Sequence, residues 1–179
     1  TYAELNIRAN RMAHHLKALG VGPDKRVALC VERGLDMVVG VLAVLKAGGA
    51  YLPLDPAWPH ERLQQMLGVV KPAVLISCSH LRERCPAGTH ELLDLDQERT
   101  RITAQRAADP AVQIVPEQLC SLMFTSGSSG VPKCVMVTHG NLASALLAWC
   151  EHYALQPGES HLQMASAAFD VFTGDWVRA

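Results

Sequence analysis

Apolar positions recur at helical spacing near the start of the chain, with Leu5, Met12, Leu16 and Leu19 on one face. Thr1 and Glu4 ahead of them form a capping-box pattern, in which a hydroxyl and a carboxylate satisfy each other's free amides. Gly20 ends that helix. Arg26 to Val31 is a short apolar run with two valines and reads as a buried strand. Leu35 to Lys46 is long enough for a helix and apolar almost all round, so it is expected to be buried. Gly48 and Gly49 stop it, and Ala50 to Leu54 reads as a strand ending at Asp55-Pro56, where proline forbids continuation. Leu63, Met66, Leu67 and Val70 then mark one face of another helix, followed by a strand at Ala73 to Ser77.

This alternation of strand and helix predicts an α/β fold built on a mostly parallel sheet with helices on its faces. The stretch from Ser79 to Glu117 is weakly patterned and polar, with one strand expected at Glu91 to Leu95. Order returns at Leu119 to Phe124, a strand leading into Thr125-Ser126-Gly127-Ser128-Ser129-Gly130, and again at Cys134 to Val137. Thr138 is placed to cap a helix through Asn141 to Tyr153. A last strand is expected at His161 to Ala165, before Phe169-Asp170 and a final helical run.

Composition narrows the function classes. Apolar residues make up 49% of the 179 and charged residues 18%, against about 25% charged in typical soluble proteins. Such a chain can bury a sizeable core and is not expected to be disordered. Sixteen Lys and Arg balance seventeen Asp and Glu, so no nucleic-acid partner is expected. No segment approaches the roughly 20 apolar residues of a membrane span, so no membrane partner is expected either. The six cysteines include no C-x-x-C pair and read as reduced thiols, consistent with a cytoplasmic location.

The segment from Thr125 to Lys133 is the richest in chemistry. Its glycines let backbone amides approach an anion, its hydroxyls add donors, and Lys133 adds a mobile positive charge. A flexible Gly/Ser connection without a ligand is the competing reading. The segment is neither a Walker loop nor a G-x-G-x-x-G turn nor a nucleophile elbow. His60-Glu61 and His90-Glu91 begin like H-E-x-x-H, but the fifth positions are Gln64 and Asp94, so no protein-bound metal is expected. Asp170 reads either as an ordinary helix N-cap or as a buried carboxylate awaiting a cation.

Four blocks in order, TYAELN, LKAGGAYLPLDPAWPHERLQQML, LMFTSGSSGVPKCVMVTHGNL and QMASAAFDVFTGDW, resemble the amino-acid-activating adenylation domains of nonribosomal peptide synthetases, within the wider class of adenylate-forming, AMP-binding enzymes. The resemblance covers essentially the whole chain and implies the amino-terminal part of that fold's large subdomain. It implies that ATP and magnesium are used to convert an amino acid into an aminoacyl-adenylate, which then passes to phosphopantetheine on a peptidyl carrier protein. A neighbouring condensation domain is implied in the parent protein.

By the same resemblance, Thr125, Ser126, Gly127, Ser128, Ser129, Gly130 and Lys133 would hold the ATP phosphates. Asp170 would pair with the substrate ammonium, with Phe169 beside it and Val171 and Gly174 on the first lining positions of the pocket. The 45–67 block matches no chemistry in the family and reads as scaffold. No residue is given a catalytic role. Cys134 departs from the glycine usual after the loop lysine, and would be strained if that position requires a positive φ.

Residues 1–179 read as a partial adenylation domain, lacking the rest of the large subdomain and the whole C-terminal subdomain. The chain by itself is expected to be inactive and prone to self-association, through exposed strand edges and apolar surface. Three alternatives stay open: an acyl-CoA ligase or other carboxylate-adenylating enzyme, a non-catalytic interaction module, and a plain α/β domain binding some other phosphate.

Overall fold

The computed structural model describes residues 1–125 and 132–179. Six helices α1 (Tyr2–Ala18), α2 (Leu35–Lys46), α3 (His60–Val70), α4 (Arg99–Thr103), α5 (His139–Tyr153) and α6 (Asp170–Arg178) are found among the described residues, with a 3-10 helix at Ser79–Arg84. The strands are β1 (Arg26–Cys30), β2 (Ala50–Leu54), β3 (Val74–Ser77), β4 (Glu91–Asp94), β5 (Leu119–Thr125) and β6 (Lys133–Thr138). They form one sheet in the order β4-β3-β1-β2-β5-β6. The first five run parallel, and β6 returns antiparallel along β5.

Alternation along the strands sorts the core onto two faces. Val27 and Leu29 of β1, Tyr51 of β2, and Val74 and Ile76 of β3 pack with Met12 and Leu16 of α1 and Val41 and Val44 of α2. Ala28 and Cys30, Leu52 and Leu54, and Leu75 face the other way, against Leu63, Met66, Leu67 and Val70 of α3. The expected burial of α2 holds for most of its length, although Leu35 at its first turn is exposed.

From β1 the chain moves through α2 to β2, then returns through α3 across β1 to β3. The connections leaving β1 and β3 therefore depart in opposite directions. The carboxyl edge of a sheet wound this way is where α/β proteins place ligands.

Both capping boxes form as residue chemistry requires. The Thr1 hydroxyl accepts from the Glu4 amide, and that of Thr138 from the Asn141 amide. The polar stretch after Ser79 supplies β4, the 3-10 turn and the short α4 at the sheet margin.

His161 to Ala165 does not form the expected strand. Its polar groups are taken by side chains instead of a strand edge: Arg33 donates to the Met164 carbonyl (2.9 Å) and the Met164 amide to Asp175 (3.3 Å). The Gln163 side chain donates to the Ala165 carbonyl.

Candidate active-site cleft

β5 and β6 form a hairpin whose stems end at Thr125 and Lys133, which lie opposite each other in register. Both residues are at the carboxyl edge of the parallel strands, and Thr125 is exposed. Ser126, Gly127, Ser128, Ser129 and Gly130 lie outside the described residues. Cys134 is a regular strand residue opposite Phe124, half-buried against the α3-side core. It is not among the residues with positive φ, so the strain considered for that position does not arise. Burial raises its thiol above the ordinary value.

A cleft of about 410 Å³ lies between this hairpin, α5 and α6. Met123 and Val137 come from the hairpin, Asn141 and Trp149 from α5, and Asp170, Val171 and Gly174 from α6. Met123 precedes Thr125 by two residues on the same strand, about 7 Å along it. The cleft and the loop stem are thus neighbours. Three of the four residues assigned to substrate binding from sequence share the cleft wall, whereas Phe169 does not line it and is 62% exposed.

Neither reading of Asp170 from sequence is met as stated. Phe169 is the N-cap of α6 and Asp170 the first helical residue, its carboxylate accepting from the Val171 amide at 2.9 Å. The group is exposed, not buried, because the wall of the cleft beside it is open. Its place at the helix start suits a negative charge. No Lys, Arg or His side chain among the described residues forms an ion pair with it. The cleft's own cation, Arg178, is already engaged: it donates to Asp175 at 3.0 Å and lies over the Trp149 ring at 5.2 Å.

α6 is seated by residues that sequence reasoning assigned only to scaffold. The hydroxyls of Tyr51 and Thr173 are hydrogen-bonded at 2.9 Å in the interior, and Tyr51 meets Trp176 edge to face at 6.3 Å. Burial pushes the Tyr51 phenol up to about 12, so it stays protonated at neutral pH. Ser166 donates to Asp55 at 3.4 Å, just after β2. The AYLPLD segment thus holds the chain on both sides of Asp170. A tyrosine in an otherwise aliphatic buried strand was the available signal, since such a hydroxyl requires a partner.

Gly174 faces Trp149 so closely that a Cβ there would lie 3.3 Å from the indole.

The family model described as AMP-binding enzyme matches residues 1–177. Tyrocidine synthase 3 of Brevibacillus parabrevis is 43% identical over 177 residues, covering 96% of this chain and 3% of that protein. Gramicidin S synthase 2 of Brevibacillus brevis is 40% identical over 172 residues, covering 96% and 4%. Among solved structures, the nonribosomal peptide synthetase FmoA3 superposes with a TM-score of 0.87 at 28% identity, over 98% of this chain and 18% of that one. Its alpha-methyl-L-serine-AMP bound form gives 0.85 at 28% identity, over 97% and 19%. The chain therefore spans a small part of the proteins it matches.

Proposed function

This chain belongs to the AMP-binding enzyme family, and on that premise we propose that it is part of an amino-acid adenylation domain in a longer nonribosomal peptide synthetase. The observation that carries the reading is the cleft in which Asp170, Val171 and Gly174 stand beside the stem of the Thr125–Lys133 loop. A carboxylate in the cleft and, beside the cleft, a loop stem that carries Lys133 suit a substrate with an ammonium, bound next to a triphosphate.

In this reading the amino-acid carboxylate attacks the α-phosphorus of ATP. The bond from that phosphorus to the bridging oxygen breaks, and pyrophosphate leaves with the electron pair. Thr125, Ser126, Gly127, Ser128, Ser129, Gly130 and Lys133 hold the β- and γ-phosphates, so preorganised donors and one cation meet the charge that develops on the leaving group. Asp170 takes the substrate ammonium, Val171 and Gly174 shape the entry to the side-chain pocket, and Phe169 flanks it. The phosphopantetheine thiolate of a carrier protein then attacks the aminoacyl carbonyl carbon, so that the C–S bond forms as the C–O bond to phosphate breaks and AMP leaves, with a condensation domain as the next partner.

Magnesium enters with the nucleotide as part of the substrate. The one clustered ligand set among the described residues, Cys78, His80 and Asp96, mixes sulfur and nitrogen with oxygen and does not fit that hard cation.

The apolar exposure on the later part of the chain supports reading residues 1–179 as a partial domain: Met136, Leu147, Leu162, Met164 and Phe169 are all more than 60% exposed. Catalysis by positioning needs groups from both subdomains, so the chain alone is inactive in this account. No helix among the described residues is long and apolar enough to cross a membrane, and we place the parent in the cytoplasm.

ATP–pyrophosphate exchange by the complete protein, with amino acids against amine-free fatty and aryl acids, tests the reading. Exchange driven by an amino acid is the expected result. Exchange only with amine-free acids would move the protein to the acyl-ligase class, and silence with ATP still bound would favour a non-catalytic module.

A further inference from the structure

At the far margin of the sheet from this cleft, three adjacent strands deliver metal-type ligands to one place. Cys78 follows β3, His80 lies in the first turn of the 3-10 helix, and Asp96 follows β4. Their donor atoms all lie within 4.8 Å of one another. Glu32, two residues beyond β1, places its carboxylate 3.6 Å from His80 Nε2. These positions are forced by the strand order β4-β3-β1, which aligns the carboxyl ends of all three strands.

We propose that Cys78, His80 and Asp96 form a binding site for a divalent transition metal of the zinc type, with Glu32 orienting His80 and a water in the fourth position. A thiolate and an imidazole select zinc or cobalt over magnesium or calcium, and one sulfur, one nitrogen and one oxygen donor suit a tetrahedral ion. In such a site the donors stand roughly 3.3–3.6 Å apart, from metal–ligand bonds of about 2.0–2.3 Å. With the donors no more than 4.8 Å apart, closing takes at most about 1.5 Å of side-chain movement, and His80 and Asp96 are both exposed, so their side chains have room to turn.

The surroundings are already those that support a ligand set. A ligating histidine ordinarily directs its other ring nitrogen at a carboxylate; with Glu32 at Nε2, Nδ1 is the nitrogen that faces the metal. The Ser79 amide donates to Asp96 Oδ2 at 3.0 Å and Arg99 to Oδ1 at 3.2 Å, which aligns the carboxylate and leaves each oxygen a free lone pair. The Arg99 pair is exposed on the arginine side and costs little to loosen. The carboxylates of Asp36, Asp94 and Glu32 add negative charge around Cys78, and that concentration of charge attracts a cation. A bound metal would add a link between the ends of β3 and β4, where Ser79 already donates to Asp94 and Asp96, independently of any adenylation chemistry.

Cobalt(II) titrated into the complete protein, reduced and stripped of metal, tests this. The expected result is one equivalent bound with a thiolate charge-transfer band in the near ultraviolet and visible bands of a four-coordinate ion, displaced by zinc. Cys78→Ser should abolish the charge-transfer band while Cys150→Ser leaves it. His80→Ala, a change at an exposed side chain that spares the core, should weaken zinc binding at least tenfold, and Glu32→Gln by about 10- to 100-fold. Absence of the band, or a band that survives Cys78→Ser, would overturn the proposal.

Discussion

Gly174 is the residue at which packing and the proposed recognition meet most sharply. A methyl group there would sit 3.3 Å from Trp149, closer than ordinary van der Waals contact, so the indole must move into the cleft or away from it. Alanine is the better helix former by about 1 kcal/mol, which offsets the crowding. Gly174→Ala is therefore expected to leave the melting temperature of the complete protein within a few degrees while raising the KM for the amino acid several-fold. A changed melting temperature with an unchanged KM would show that the glycine serves only helix packing. Cys134 illustrates the opposite case. A departure in the sequence pattern, it pairs in register with Phe124 as an ordinary strand residue, and the hairpin accommodates it.

At the scale of elements, α6 is held by β2 across the core, and the Tyr51–Thr173 hydrogen bond is the most direct link. A buried bond of this kind contributes about 0.5–1.5 kcal/mol. Tyr51→Phe and Thr173→Val should each cost about that much, and the double variant no more than the costlier single one. A double-mutant cycle on thermal or denaturant stability checks this, and additive losses would mean that the two hydroxyls act separately.

Much of this level was legible in the sequence because the signals are local. Thr1 with Glu4 and Thr138 with Asn141 announce helix starts, and the alternation of Val27, Ala28, Leu29 and Cys30 sorts two core faces. What escaped depends on partners far along the chain. His161 to Ala165 alternates like a strand but finds no edge, since Arg33 and Asp175 take the polar groups of Met164. The work of Tyr51 is set by a residue 122 positions away. Asp170 was recognised by its block, yet its burial depends on what stands across the cleft, which no local pattern encodes.

At the scale of the whole molecule, the proposed function divides two tasks between neighbouring places: Asp170 in the cleft would meet the ammonium, and the segment from Thr125 to Lys133 would meet the phosphates. The measurement that tests this division most directly is the separate KM for amino acid and for ATP in pyrophosphate exchange, compared between the complete protein and its Asp170→Ala and Lys133→Ala variants. Loss of a charged hydrogen bond costs about 1.5–3 kcal/mol, a factor of ten or more. The account expects Asp170→Ala to raise the amino-acid KM by at least about tenfold with the ATP KM unchanged, and Lys133→Ala to act chiefly on ATP and on kcat. An Asp170→Ala variant whose two KM values stay as they were, or rise together, would contradict it.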